Sequence, residues 1–374
     1  MPVAPVDDHG TVLYYEDSGT PPASSNYTTI VLLHGACFYG PIFRPLLPFA
    51  ASNNLRLVLV NLRDYPGSTP FSPAELRAIR ENPSDAIQAR GFELAAFLSW
   101  FVEREKIPPI SESSDALHVR IGGLAVLGWS AGNYQTLSIL AHAEKLPEVT
   151  RTLLNAYLRC VIFYDGSSSC IGEPLSKGMY NPLADPNLSD AQKWERAPTW
   201  LSSYYTKLEL DLASETSAFT SALIARVPLH EAVVAGSADS RWTPTVQRMS
   251  VDELKSVFYG EVLRRSQMPI VNIDARIYKE NFDRALFGFP SNSSEVRSAE
   301  DLVWPNVSIQ VLWCDMSMSS GPYAVHHIVR LRESTKGGRT VGIHRLEDAN
   351  HFVRGAVPRA PGKLTLFIGA LGLP

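Results

Sequence analysis

The sequence is short of net charge, of cysteine and of long apolar runs, and each scarcity excludes something. Its 34 Lys and Arg face 38 Asp and Glu, a formal charge of −4, and no basic stretch stands out. Nothing in that balance calls for nucleic acid or an anionic membrane surface as a partner. No apolar run reaches the roughly 18 residues that a membrane span needs. The opening MPVAPVDDHGTVLYYED has neither the positive n-region nor the apolar h-region of a leader, so the expected location is cytoplasmic. The four cysteines, Cys37, Cys160, Cys170 and Cys314, show no C-x-x-C spacing. Cys37, Cys160 and Cys314 read as buried thiols at strand ends rather than as disulfide or metal-site residues. Four N-x-S/T sequons, at Asn26, Asn187, Asn292 and Asn306, would matter only in the secretory pathway. No P-loop is present, and the run Gly122-Gly123 to Gly128 lacks the spacing of a dinucleotide fingerprint.

What is there is apolar patterning. The chain is 45% hydrophobic and 19% charged over 374 residues, which excludes disorder, collagen and coiled coil and favours a large α/β domain. Short, continuously apolar runs at 28–35, 55–64, 121–130 and 159–166 read as strands of a parallel sheet covered on both faces. Between them, Asn82-Pro83-Ser84 opens a helix that runs to Lys106, where Pro108 and Pro109 stop it. From 166 to 305 the alternation gives way to helical patterns without a strong strand signal. It resumes with a strand at 306–315, a helix around 324–334, a strand at 339–347 and a closing apolar segment at 363–372. The expected architecture is one α/β core, 1–165 with 306–374, interrupted by a helical insertion at 166–305.

The strongest chemical signal is Gly128-Trp129-Ser130-Ala131-Gly132, lying between the apolar strand LAVL and the helix YQTLSILAHAEK. A G-x-S-x-G in that context is a nucleophile elbow. The glycines permit a strand-to-helix turn so tight that side chains there would strike neighbouring backbone. Such a turn exposes the Ser130 hydroxyl and aims the first amides of the helix at a developing oxyanion. Trp129 reads as packing beneath the elbow.

With His34-Gly35 ending an early strand, the elbow, and Ala349-Asn350-His351-Phe352 near the end, the chain resembles the α/β-hydrolase fold superfamily, in its serine-nucleophile branch with a large cap. The DYPGSTP segment and the size of the insertion resemble poorly characterised hydrolases from fungi. The resemblance implies a mostly parallel sheet flanked by helices, with the 166–305 insertion as the cap over the carboxyl ends of the strands. It also implies an oxyanion hole from the backbone amides of Ala36 and Ala131. Arg63 to Pro70 is similar to a structural loop of the family, which makes Asp64 a turn former.

The base is expected at His351, in the loop after the last strand. His34 belongs to the H-G turn, His118 precedes a strand, His142 lies within a helix, and His326 and His327 diverge on another helix. The acid has two candidates. The family's usual G-x-x-D position is filled here by Ser317, with Asp315 two residues early. A second family location, after the strand that follows the elbow helix, holds Asp165. The expectation is Asp165, with Asp315 as the alternative; either could orient His351.

A serine at the elbow points to acyl transfer on an ester, thioester or lactone of a medium-sized, largely apolar small molecule, through an acyl-enzyme and without metal or organic cofactor. Trp200, Tyr204, Tyr205 and Trp242 are the insertion's candidates for contact with substrate. The rival readings are a lyase or cyclase using the same Ser-His pair, and a non-catalytic ligand-binding protein of the same fold.

Overall fold

The structure is a computed structural model that describes residues 2–112, 120–231, 239–288 and 299–352. His118, the Asn292 sequon and the closing segment 363–372 lie outside them. Eight strands form the main sheet: β1 Val3–Pro5, β2 Val12–Asp17, β3 Thr28–Leu33, β4 Leu55–Val60, β5 Leu124–Trp129, β6 Leu158–Tyr164, β7 Ser308–Cys314 and β8 Val341–Leu346, while Ser111–Glu112 and Arg120–Ile121 pair with each other apart from it. Their order across the sheet is β1-β2-β4-β3-β5-β6-β7-β8. From β4 to β8 every pairing is parallel, while β1 and β2 run antiparallel at one edge.

The apolar runs are continuous because both faces are covered. Val31, Leu33, Val126, Val161 and Phe163 join one apolar cluster, while their chain neighbours Ile30, Leu32, Leu127 and Ile162 join another on the opposite face. Helix α1 (Pro73–Glu81) opens with a capping box between Ser72 and Glu75. Pro83 starts α2 (Pro83–Glu105), whose last carbonyls are closed by Lys106 in the left-handed region. Leu94, Phe97, Leu98 and Phe101 of α2 sit in the first cluster. Helix α3 (Asn133–Ala141) follows the elbow, and α4 (Glu148–Asn155) leads into β6.

Between β6 and β7 the described residues contain α5 (Asp190–Ser202), α6 (Thr216–Ile224), α7 (Val251–Val257) and α8 (Ala275–Phe287), with short 3-10 and π turns. The last of these joins the layer that covers the sheet: Tyr278 stacks on Tyr134 of α3 at 4.2 Å, and Phe282 and Leu286 enter the first cluster. Helix α9 (Ser320–Ser334) connects β7 to β8. Among the described residues no helix is long and apolar enough to cross a membrane.

This strand order places a switch point beside β3, where the chain steps to β4 on one side and returns to β5 on the other. In open α/β sheets the carboxyl ends at such a point form a crevice. His34, Ser130, Asp165 and Ser317 all lie just past strand ends at that edge.

Candidate active site

The elbow is sterically locked. Ser130 sits at φ +53°, a left-handed conformation that costs a residue with a side chain. A Cβ on Gly128 would come within 2.7 Å of Thr136 Oγ1, and one on Gly132 within 2.6 Å of Leu33 O and 2.7 Å of His34 O. Gly35 lies equally close from the other side, where a Cβ would approach Ser130 Cβ to 2.8 Å. These glycines let the β3 and β5 termini pack against each other and leave Ser130 partly exposed between them. Asn133 Nδ2 donates to Ser130 O (2.9 Å), which ties the strained residue to α3.

His351 is buried, with Nδ1 2.7 Å from Asp165 Oδ2. Trp129 Nε1 donates to the backbone carbonyl of His351 at 2.7 Å, and its ring packs against Phe38, Phe43 and Phe352. The residue beneath the elbow therefore also anchors the loop that carries the imidazole. With Nδ1 directed at Asp165, Nε2 is the nitrogen left for Ser130. Among the described residues no hydrogen bond joins Ser130 Oγ to His351; such bonds commonly tighten only when substrate is present.

The two acid candidates have different partners. Asp165 is 1% exposed and adopts φ +39°; its Oδ1 accepts from the Cys314 amide (3.1 Å), and its Oδ2 accepts from Ser317 Oγ (2.6 Å) as well as facing His351. Asp315, equally buried, turns to Arg345 of β8 (2.9 Å) and to Lys207 (3.6 Å). Burial pushes its carboxyl up against the pull of those cations. Asp315 thus forms an ion pair between neighbouring segments and does not meet His351.

The loop after β3 is held from two points. His34 Nδ1 donates to Gly35 O (2.9 Å), and Nε2 accepts the Leu62 amide (3.0 Å), which requires a neutral ring. Burial drives its pKa down to about 4, in keeping with that tautomer. Tyr65 Oη accepts the Cys37 amide (2.9 Å), so that amide is already engaged, and Cys37 stands at φ +68°. Tyr65 was not singled out in the sequence, where it looks like any turn residue. Asp64 is a turn residue indeed: at φ +71° its Oδ1 accepts from the Phe71 amide (2.7 Å) and Arg265 (3.1 Å). All four cysteines are free and buried, with Cys37, Cys160 and Cys170 pushed up to about 12 by burial.

A cavity of about 380 Å³ is walled by Ala36, Ser130, Ala131 and His351 on the sheet side and by residues from 167–275 on the other. Trp194, Leu201, Phe258, Leu263 and Val271 make that second wall largely apolar. Of the four aromatics expected there, Trp200 lines the cavity and the other three are not on its wall. Tyr204 is buried against Trp242 and Arg248, and Tyr205 beside Arg226, its hydroxyl directed at Trp200 O. Aromatic spacing alone cannot separate packing from lining, and Trp194 and Phe258 carried no distinguishing signal.

The family model described as "Alpha/beta hydrolase family" matches residues 30–360. No curated protein matches the sequence. Solved structures of similar fold include a bromoperoxidase from Bacillus anthracis, at 13% identity and TM-score 0.48, covering 100% of this chain and 98% of that one. A carboxylesterase structure from the thaumarchaeon Nitrososphaera gargenis has 13% identity and TM-score 0.48, covering 99% and 98%. An epoxide hydrolase mutant from Bacillus megaterium has 15% identity and TM-score 0.44, covering 97% and 98%. Likeness at this level carries no argument about the reaction. The span of the family match, together with the sheet order and the elbow, shows that the chain belongs to the alpha/beta hydrolase family.

Proposed function

We propose that the protein is a serine hydrolase that cleaves an ester, thioester or lactone of a medium-sized, largely apolar substrate through an acyl-enzyme. The observation that carries this reading is the 2.7 Å contact between His351 Nδ1 and Asp165 Oδ2, with Nε2 left to a serine at φ +53° on the same cavity wall. Ser130 Oγ attacks the carbonyl carbon and its proton passes to His351 Nε2. Asp165 keeps the imidazole proton on Nδ1 and stabilises the imidazolium. The amides of Ala36 and Ala131 stabilise the oxyanion. The bond to the leaving group then breaks, and His351 protonates it. Water attacks the acyl-enzyme, giving its proton to His351, and Ser130 leaves with that proton restored.

The 166–305 insertion acts as the cap that closes the acyl pocket, with Trp200 in contact with substrate. An uncharged, apolar substrate is favoured because Glu173 is the one acidic side chain on the described cavity wall, which holds no Lys or Arg. The test is Ser130→Ala assayed on p-nitrophenyl butyrate, alongside labelling by a fluorophosphonate probe. Turnover should fall by roughly a thousandfold or more and the covalent adduct should vanish, with the fold intact. Parental turnover in the variant would overturn the mechanism.

A further inference from the structure

The carboxylate of Asp165 has more partners than an orienting acid requires. Its Oδ1 accepts the Cys314 amide, and its Oδ2 takes both His351 Nδ1 and the hydroxyl of Ser317, the last at 2.6 Å. Ser317 is fully buried, and the described hydrogen bonds give its hydroxyl proton this one acceptor. We propose that Ser317 is a positioning residue that holds the Asp165 carboxylate in the rotamer from which Oδ2 meets His351. This rests on the reading of Asp165 as the acid.

An aspartate χ2 is a broad torsion, so a carboxylate anchored through Oδ1 alone can swing its other oxygen away from the imidazole. The Ser317 hydroxyl supplies the second anchor on the oxygen that matters. Oδ2 has lone pairs for two donors, so Ser317 does not displace His351. A hydrogen bond to an ionised group is also among the stronger kinds.

Ser317 is itself immobilised, as an anchor must be. Its amide donates to Cys314 O (3.2 Å), and its carbonyl accepts Arg226 Nη1 (2.7 Å). The same guanidinium donates to Asp315 O (2.8 Å) and Thr206 O (2.8 Å), and thus clamps the whole turn after β7. Burial lowers the Arg226 pKa to about 10, which leaves it charged near neutrality. The clamp comes from the segment between α6 and β7, so the insertion reaches the acid through Arg226 and Ser317.

A double-mutant cycle tests this. Ser317→Ala should lower kcat on p-nitrophenyl butyrate by on the order of ten- to a hundredfold with KM unchanged. In an Asp165→Ala background the same substitution should change kcat by less than about twofold, because the group it serves is gone. The downfield proton resonance of His351 Nδ1–H should shift or broaden in Ser317→Ala. An equal loss in both backgrounds marks a merely structural role and overturns the proposal, as does parental kcat in Ser317→Ala when Asp165→Ala is impaired. If Asp165→Ala turns over at the parental rate, the acid reading falls and this inference with it. Should Ser317→Ala fail to fold, Ser317→Cys gives the same decision: it is nearly isosteric and a much weaker donor. A drop in kcat supports the anchor, and parental kcat overturns it.

Discussion

Asp165→Asn is an almost isosteric change whose effect can be worked out from the three groups around the carboxylate. An amide presents one acceptor and one donor, whereas the cysteine amide, the serine hydroxyl and the imidazole N–H all donate to Asp165. With the new oxygen kept toward the Cys314 amide, the NH₂ faces His351. The ring must then move its proton to Nε2, the atom that has to accept from Ser130, and the base is lost. In the flipped amide the oxygen serves His351 and Ser317, but the NH₂ meets the Cys314 N–H, donor against donor in a buried place. That mismatch costs about 1–3 kcal/mol. Losing the negative charge beside the imidazolium adds about 1.5–3 kcal/mol. Together these predict a kcat between about a hundredfold and about ten-thousandfold below parental. The assay is steady-state hydrolysis of p-nitrophenyl butyrate, with melting temperature as the folding control. Asp315→Asn is the counterpart. It breaks the pair with Arg345 and Lys207, but both cations are about a third exposed and keep other acceptors in Leu208 O and Asp348, so stability changes little while the folded enzyme keeps its turnover. Near-parental turnover of Asp165→Asn beside a crippled Asp315→Asn would refute the reasoning.

Acid should destabilise the fold in a defined window. The pKa of His34 falls from 6.5 to about 4 on burial, and that of His142 likewise, so the unfolded chain takes up protons first. The stability is fully present above about pH 6.5 and is lost as pH falls through about 4, roughly 3 kcal/mol for His34. Urea midpoints measured across that range should decrease toward acid, and midpoints that stay level or rise would contradict the buried neutral ring. Trp200→Ala should change the ratio of kcat/KM between short and long acyl chains, because it opens the cavity wall. A uniform loss across chain lengths would place Trp200 in packing instead.

Local patterns carried the fold because they depend only on periodicity and turn chemistry. Apolar runs announced six of the eight strands of the main sheet, and the helix after the Pro83 start is capped at Lys106, just before its flanking prolines. The antiparallel β1 and β2 were not read, since Val12–Asp17 alternates buried and half-exposed residues instead of forming an apolar run. The tight elbow was legible from its glycines, because backbone crowding at Gly128 and Gly132 arises within a few residues of the turn and against the adjacent strand end. The acid was another matter. Asp165 and Asp315 each follow an apolar strand, and only the family's second location for the acid put Asp165 first. What separates them is sheet order and register: parallel pairing sets Arg345 opposite Trp313, two residues before Asp315, and the Arg takes that carboxylate. Asp165 is free to meet His351 across a separation of 186 residues. Tyr65, Ser317 and Arg226 owe their roles to the same kind of long-range encounter. A hydroxyl or a guanidinium has no periodicity to betray it, and its partner exists only once the strand ends have been brought together.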